Sequence, residues 1–181
     1  MTSLERLKEK VRAAFSTGEF VLASGAKSNY YFDCRLVTLD QEGSSLCADA
    51  LLEEICKAKA TAVGGMTLGA DPLVSAIGLL AYQKKIKLKL FYVRKEVKDH
   101  GARRQIEGPP LEPEDSVAIV EDVLTSGRSA LAACEAVRRQ SGSRIVGVFA
   151  IVDRLEGGRA AIESAGYPLH SLFTVSDFIG K

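Results

Sequence analysis

The stretch from Val117 to Ala130, Val-Ala-Ile-Val-Glu-Asp-Val-Leu-Thr-Ser-Gly-Arg-Ser-Ala, constrains this chain more than any other. An apolar, β-branched run leads into two consecutive acids, Glu121 and Asp122. A short loop with Thr125, Ser126, Gly127 and Ser129 follows, and then a helical pattern from Leu131 to Arg139. The order predicts a strand ending in the acid pair, an anion-accepting loop and a helix. A helix N-terminus presents unpaired N–H groups and the positive end of its dipole, so small hydroxyl residues and a glycine there suit a phosphate monoester. Glu121 and Asp122 would repel that phosphate if they faced it, and suit sugar hydroxyls or a cation that the ligand carries. The implied ligand has a phosphate at one end and a hydroxylated ring or metal at the other, which a phosphorylated ribose satisfies. An ordinary βα turn with surface acids is the plainer reading.

The rest of the chain alternates strands and helices. Thr2 and Glu5 have capping-box spacing, and Leu4, Leu7, Val11 and Phe15 recur on one face of an opening helix that ends near Gly18. Phe20 to Leu22 and Asn29 to Cys34 read as a hairpin around a glycine-containing turn. Helical spacing from Gly43 to Lys59, a short buried strand at Thr61 to Gly65, a helix from Pro72 to Gln83 and a strand from Leu88 to Val93 follow. Arg144 to Asp153 is almost continuously apolar, as a central parallel strand covered on both faces would be. A helix from Arg159 to Ala165 and a strand from Leu169 to Phe173 complete the pattern. The expected fold is α/β: an open, mainly parallel sheet flanked by helices, with right-handed crossovers and a small N-terminal hood from about residues 1–40. At 181 residues the chain suits one domain spanning 1–181.

A net charge of +1 supplies no global field for nucleic acid or an anionic membrane. The charged, helical start lacks the apolar core of a secretion signal, and no run approaches the ~20 apolar residues of a membrane span. A cytoplasmic protein that binds neither nucleic acid nor membrane is expected. Cys34, Cys47, Cys56 and Cys134 form no Cys-x-x-Cys pair and have only two histidines for company, so reduced thiols are expected rather than zinc ligands or a disulfide framework.

Four further places have the residues for chemistry. Lys27, at a turn flanked by Ser24 and Ser28 and followed by Tyr31 and Phe32, could meet a phosphate and an aromatic ring, or simply be solvated. Met66-Thr-Leu-Gly-Ala-Asp-Pro, with Gly64, Gly65 and Gly69, permits close approach to a ligand or a tight packed turn. From Arg94 to Arg104, the chain places Arg94, Lys95, Lys98, His100, Arg103 and Arg104 together, six cationic or potentially cationic side chains in eleven residues. A long polar loop over 94–110 suits a mobile lid over a diphosphate, a solvated loop, or a nucleic-acid patch, although it lacks the interleaved aromatics that the last would use. Asp153-Arg154 ends a strand, where the arginine could grip a carboxylate or pair with its neighbour. No Walker A sequence and no Gly-x-Gly-x-x-Gly follows a strand, so P-loop and dinucleotide readings lack their residues.

The Val117–Ala130 segment resembles the phosphoribosyl-pyrophosphate (PRPP) motif of type I phosphoribosyltransferases. Ser-Gly-x-x-Ser followed by aromatics, and Arg-Lys-x-x-Lys-x-His-Gly followed by Ile-Glu-Gly, are similar to the hood and catalytic loop of the orotate branch of that family. The likeness runs from about Phe20 to Arg154. It implies transfer of ribose 5-phosphate from PRPP to orotate, giving orotidine 5′-monophosphate and pyrophosphate in pyrimidine (UMP) biosynthesis, with Mg²⁺ bridging substrate oxygens and no dedicated protein metal site. It assigns PRPP to Lys27, Arg94, Lys95, Lys98, His100, Glu121, Asp122, Val123, Leu124, Thr125, Ser126, Gly127, Arg128 and Ser129. It assigns orotate to Thr125, Arg154, Tyr31 and Phe32, and the reaction itself to Lys98, His100 and Asp122. It also implies a homodimer with shared sites. Some relatives have a lysine where this chain has Gly69, which leaves backbone amides at that edge of the pyrophosphate. Alternatives are a phosphoribosyltransferase for another base, or a PRPP-binding regulator without turnover.

Overall fold

The structure is a computed structural model and describes residues 1–21, 27–96 and 104–179. Helix α1 (Ser3–Ala13) opens with the expected capping box between Thr2 and Glu5 and buries Leu7 and Val11. It ends at Ala13, not near Gly18. Phe15, expected on the helix, instead starts strand β1 (Phe15–Val21), where it pairs with Phe32 of β2 (Lys27–Phe32). An aromatic residue among β-branched and glycine neighbours gains more from this sheet, because its ring packs 4.9 Å from Phe32 and 6.4 Å from Phe178. Strands β1 and β2 form a separate antiparallel pair, the hood.

The main sheet has six strands in the order β5-β4-β3-β6-β7-β8. These are β3 (Ala62–Met66), β4 (Lys89–Val93), β5 (Ile106–Glu107), β6 (Ser116–Leu124), β7 (Arg144–Asp153) and β8 (Leu169–Thr174). All pairings are parallel except β4 with β5. β5 lies inside the stretch read as one long loop; a two-residue edge strand carries too short a pattern to be seen in sequence.

Alternate residues of the central strands enter two cores. Val63, Ala118, Val120, Phe149 and Ile151 pack with Leu51 and Ile55 of α3 (Gln41–Lys57) and Leu73 and Ile77 of α4 (Asp71–Gln83). Ala62, Val117, Ile119, Val148 and Ala150 pack with Ala133 and Val137 of α5 (Arg128–Ser141) and Ile162 of α6 (Gly158–Ser164). Helices therefore cover both faces, which is why these strands read as continuous apolar runs. A short helix α2 (Arg35–Thr38) links hood to body, and a 3-10 turn at Val175–Asp177 places Phe178 against Phe15, Phe32 and Phe173. All four cysteines are free, with Cys34, Cys47 and Cys134 buried; burial pushes the Cys47 and Cys134 thiols up to about 12. Among the described residues no helix is long and apolar enough to cross a membrane.

Chain order sends β4 to one side of β3 and β6 to the other. The crevice outside the carboxyl ends of β3 and β6 is therefore the switch point at which open α/β sheets bind ligands.

Candidate active site

Two loops meet at that crevice. β6 does not stop at the acid pair but continues to Leu124, because Val123 and Leu124 keep pairing with Val152 and Asp153 of β7. Helix α5 begins at Arg128, so Arg128 and Ser129 form its first turn and only Thr125 to Gly127 make the loop. Gly127 is the N-cap in the left-handed region, φ 77°, where a side chain would be strained, and no side chain caps the helix. The first N–H groups of α5 are thus directed at the crevice without a side-chain acceptor from the cap residue, in the form that receives an anion.

Behind this loop sits the turn after β7. A Cβ on Gly158 would lie 2.5 Å from the Thr125 carbonyl oxygen and 3.1 Å from the Gly127 nitrogen, and the Arg154 N–H donates to the Leu124 carbonyl at 2.9 Å. The anion loop and Arg154 are therefore held by one interlocked piece of backbone.

Glu121 is 8% exposed, and burial pushes its carboxyl well above the ordinary range, with the neighbouring Asp122 charge adding to the effect. Burial also raises Asp122, opposed by the Val123 N–H that donates to its Oδ1 at 2.8 Å and by a hydrogen bond from Glu121. Burial thus raises both carboxyls, Glu121 the more strongly, and the two titrate as a coupled pair. Lys95 lies close enough to Glu121, and Arg35 to Asp122, to favour their charged forms. Gly69 closes the crevice from β3: a Cβ there would stand 2.7 Å from Asp122 Oδ1. No lysine fits at this position while Asp122 keeps its place, which is a local reason for the glycine.

Alternation along β2 decides what the hood offers. Ser28, Tyr30 and Phe32 share one face. Phe32 is 4% exposed among Phe15, Tyr30 and Phe178, so its expected role against a base is corrected: it is a core residue. Tyr31 lies on the other face, stacked on Phe20 at 5.6 Å, with exposed Lys27 beside it in parity. The structure instead brings Ser28 and Tyr30 to Arg154. Arg154 Nη2 donates to Ser28 Oγ at 2.9 Å, and the guanidinium lies 4.5 Å from the Tyr30 ring centre. Glu156 accepts from Arg154 Nε at 3.1 Å and from the Tyr30 hydroxyl at 2.7 Å, and its Oε1 forms an ion pair with Nη2 at 2.8 Å. Burial and the Glu156 hydrogen bond raise the Tyr30 phenol above its usual value. Tyr30 and Glu156 are the members that sequence reading missed; the two-residue period counted back from Phe32 would have found Tyr30.

At the start of the basic stretch, Arg94 is exposed, donates weakly to Glu107 at 3.5 Å, and its carbonyl accepts from the buried Gln105 side chain at 2.8 Å. Lys98, His100 and Arg103 lie outside the described residues. Among the described residues no group of three or more His, Cys, Asp or Glu side chains could hold a metal ion. Cavities of 410 Å³ around Glu54 and His170, and 490 Å³ around Tyr82 and Lys89, open away from this crevice.

The fold and this crevice are those of a type I phosphoribosyltransferase. Adenine phosphoribosyltransferase from Rhodothermus marinus shares the fold, with TM-score 0.65 at 22% identity over 94% of this chain and 99% of that one. No protein-family model matches the chain. It is 48% identical over 160 residues to the orotate phosphoribosyltransferase of Aquifex aeolicus, covering 88% of this chain and 86% of the relative. To that of Rhodopirellula baltica it is 48% identical over 171 residues, covering 91% and 88%. Orotate phosphoribosyltransferase of Mycobacterium tuberculosis, solved with PRPP, superposes with TM-score 0.81 at 34% identity, covering 98% and 99%. The chain belongs to the orotate phosphoribosyltransferase family.

Proposed function

We propose that this protein transfers ribose 5-phosphate from PRPP to orotate, forming orotidine 5′-monophosphate and pyrophosphate in pyrimidine biosynthesis. The observation that carries the reading is the interlock of the anion loop, Thr125 to Gly127, with the turn that sets Arg154. The two ends of orotidine 5′-monophosphate are a phosphate monoester and a base bearing a carboxylate, and these two groups suit them in turn.

The Thr125–Ser129 segment receives the 5′-phosphate through backbone N–H groups and hydroxyls. Asp122 takes the ribose hydroxyls and faces the positive charge that develops on the ring as the anomeric bond breaks. Arg154 holds orotate by its carboxylate through charge-assisted hydrogen bonds. No covalent protein nucleophile is needed; holding both reactants in register supplies much of the acceleration. Arg94, Lys95, Lys98 and His100 neutralise the departing pyrophosphate, with His100 as a proton donor.

A hard divalent cation suits this oxygen-rich site, because Mg²⁺ commonly takes one or two carboxylates and fills its shell with substrate phosphates and water. Asp122 is the residue that would touch it, and the ion would add Lewis acidity at the leaving diphosphate. The protein works as a cytoplasmic homodimer in which the basic loop of one subunit completes the crevice of the other.

Pyrophosphate release from PRPP, measured against orotate, uracil, adenine and hypoxanthine with Mg²⁺ present, tests the reading. Release with orotate alone is expected. Release with a purine or with uracil in preference to orotate refutes the assignment, and tight PRPP binding with no release for any base identifies a regulator.

A further inference from the structure

Arg154 is already occupied. Its side chain is 3% exposed, and a buried guanidinium without a counter-charge is strongly unfavourable. Glu156 supplies that charge from an exposed turn, with 34% of its side chain in solvent. One oxygen, Oε1, spans the Nε–Nη2 edge at 3.1 and 2.8 Å. Nη2 itself donates to Ser28 Oγ, so the Nη1–Nη2 edge is half used as well. A carboxylate that grips a guanidinium with two parallel bonds needs one full edge.

The two present partners differ in how firmly they are tied. Ser28 sits in strand β2, and its hydroxyl also donates to the Tyr30 carbonyl at 2.8 Å. Glu156 hangs from the turn that follows β7, which is pinned one residue earlier by the Leu155 N–H donating to buried Asp153 Oδ1 at 2.9 Å. Its anchor is fixed and its carboxylate is at the solvent boundary. Glu156 is therefore the partner that can leave.

We propose that Glu156 is a placeholder for the substrate's carboxylate: it neutralises Arg154 in the empty site and is exchanged, carboxylate for carboxylate, when orotate enters. The inference rests on the reading of Arg154 as the group that holds orotate. Exchange keeps the buried guanidinium paired throughout, and it lets a base without a carboxylate gain nothing from Arg154, because such a base has no charge with which to displace Glu156. Glu156 is thus a specificity-setting positioning residue that acts through Arg154. Tyr30, whose hydroxyl donates to the same Oε1, loses that acceptor at the exchange and reports it.

The test uses the full chain with Glu156→Gln and Glu156→Ala. The KM for orotate at saturating PRPP is expected to fall about two- to fivefold in both, the size set by a partly exposed ion pair. The change falls on KM rather than kcat, and the inhibition constant of uracil stays where it was. The unliganded variants melt lower than the parent, and orotidine 5′-monophosphate raises their melting temperature by more than it raises the parent's. An unchanged or higher KM for orotate overturns the proposal and makes Glu156 a support that holds Arg154 in place. Should Glu156→Ala fail to fold, Glu156→Gln carries the test alone, since it keeps the shape. Failure of the underlying reading shows elsewhere: Arg154→Lys would leave the preference for orotate over uracil intact whatever Glu156 does.

Discussion

Gly158→Ala strikes the interlock at its tightest point. The new methyl carbon would stand 2.5 Å from the Thr125 carbonyl oxygen and 2.9 Å from Leu124 Cγ, where ordinary contact begins at 3.4 Å. The backbone of one loop must therefore retreat by about 0.9 Å, and overpacking of this kind costs about 1–3 kcal/mol. For a chain of this size that is a melting-temperature loss of about 2–12 °C. The displacement moves the anion loop relative to Arg154, and misplacing a reacting group by about 1 Å costs on the order of 10²-fold. Gly142→Ala is the control. Gly142 ends α5 at φ 71° with nothing within 4 Å of its would-be Cβ, so alanine there suffers only the left-handed strain of about 1–2 kcal/mol. The two variants should lose similar stability by thermal melting, while only Gly158→Ala loses kcat/KM, by roughly 10- to 100-fold. If Gly158→Ala keeps the activity of Gly142→Ala at equal stability, the two loops are not functionally interlocked and the reasoning fails.

Three further outcomes follow from the same geometry. Arg154→Ala should lower kcat/KM for orotate by about 30-fold or more, since truncating one partner of a buried charge pair costs about 2–5 kcal/mol; steady-state rates with orotate, set against uracil inhibition, check that the loss tracks the carboxylate. Glu121→Gln should stabilise the unliganded protein at neutral pH. Because the folded-state value of Glu121 is raised above its ordinary 4.5, the folded state holds a proton that the unfolded chain releases, so the wild type loses stability as pH rises from about 4.5 to the raised value. The variant's advantage should grow over that window and then level off, and denaturant melts at several pH values that show the opposite slope would contradict the burial argument. Lys98→Ala and Asp122→Ala proteins, each inactive alone, should regain activity when mixed and allowed to exchange subunits; no recovery would refute shared sites.

The pattern of apolar runs made the fold legible because every central strand is buried on both faces, and the β6 motif made the anion loop legible because strand, acids, glycine and helix lie within fourteen consecutive residues. What sequence could not show depends on contacts between distant segments. Phe15 joins a strand because Phe32 and Phe178 are waiting for it. Phe32 enters the core and Ser28 and Tyr30 meet Arg154, with Tyr31 on the other face, because one register choice along β2 turns alternate side chains to opposite faces. Gly69 looked like a lost lysine, and the structure shows Asp122 filling the place where its side chain would start. Glu156 carried no motif at all; only the burial of Arg154 beside it gives the residue meaning.

The most direct measurement is a crystal structure with orotidine 5′-monophosphate bound. The account predicts the 5′-phosphate on the amides and hydroxyls of Thr125 to Ser129, the ribose hydroxyls at Asp122, and the base carboxylate on the guanidinium of Arg154. A nucleotide whose carboxylate points away from Arg154, or whose phosphate lies off the start of α5, would contradict it.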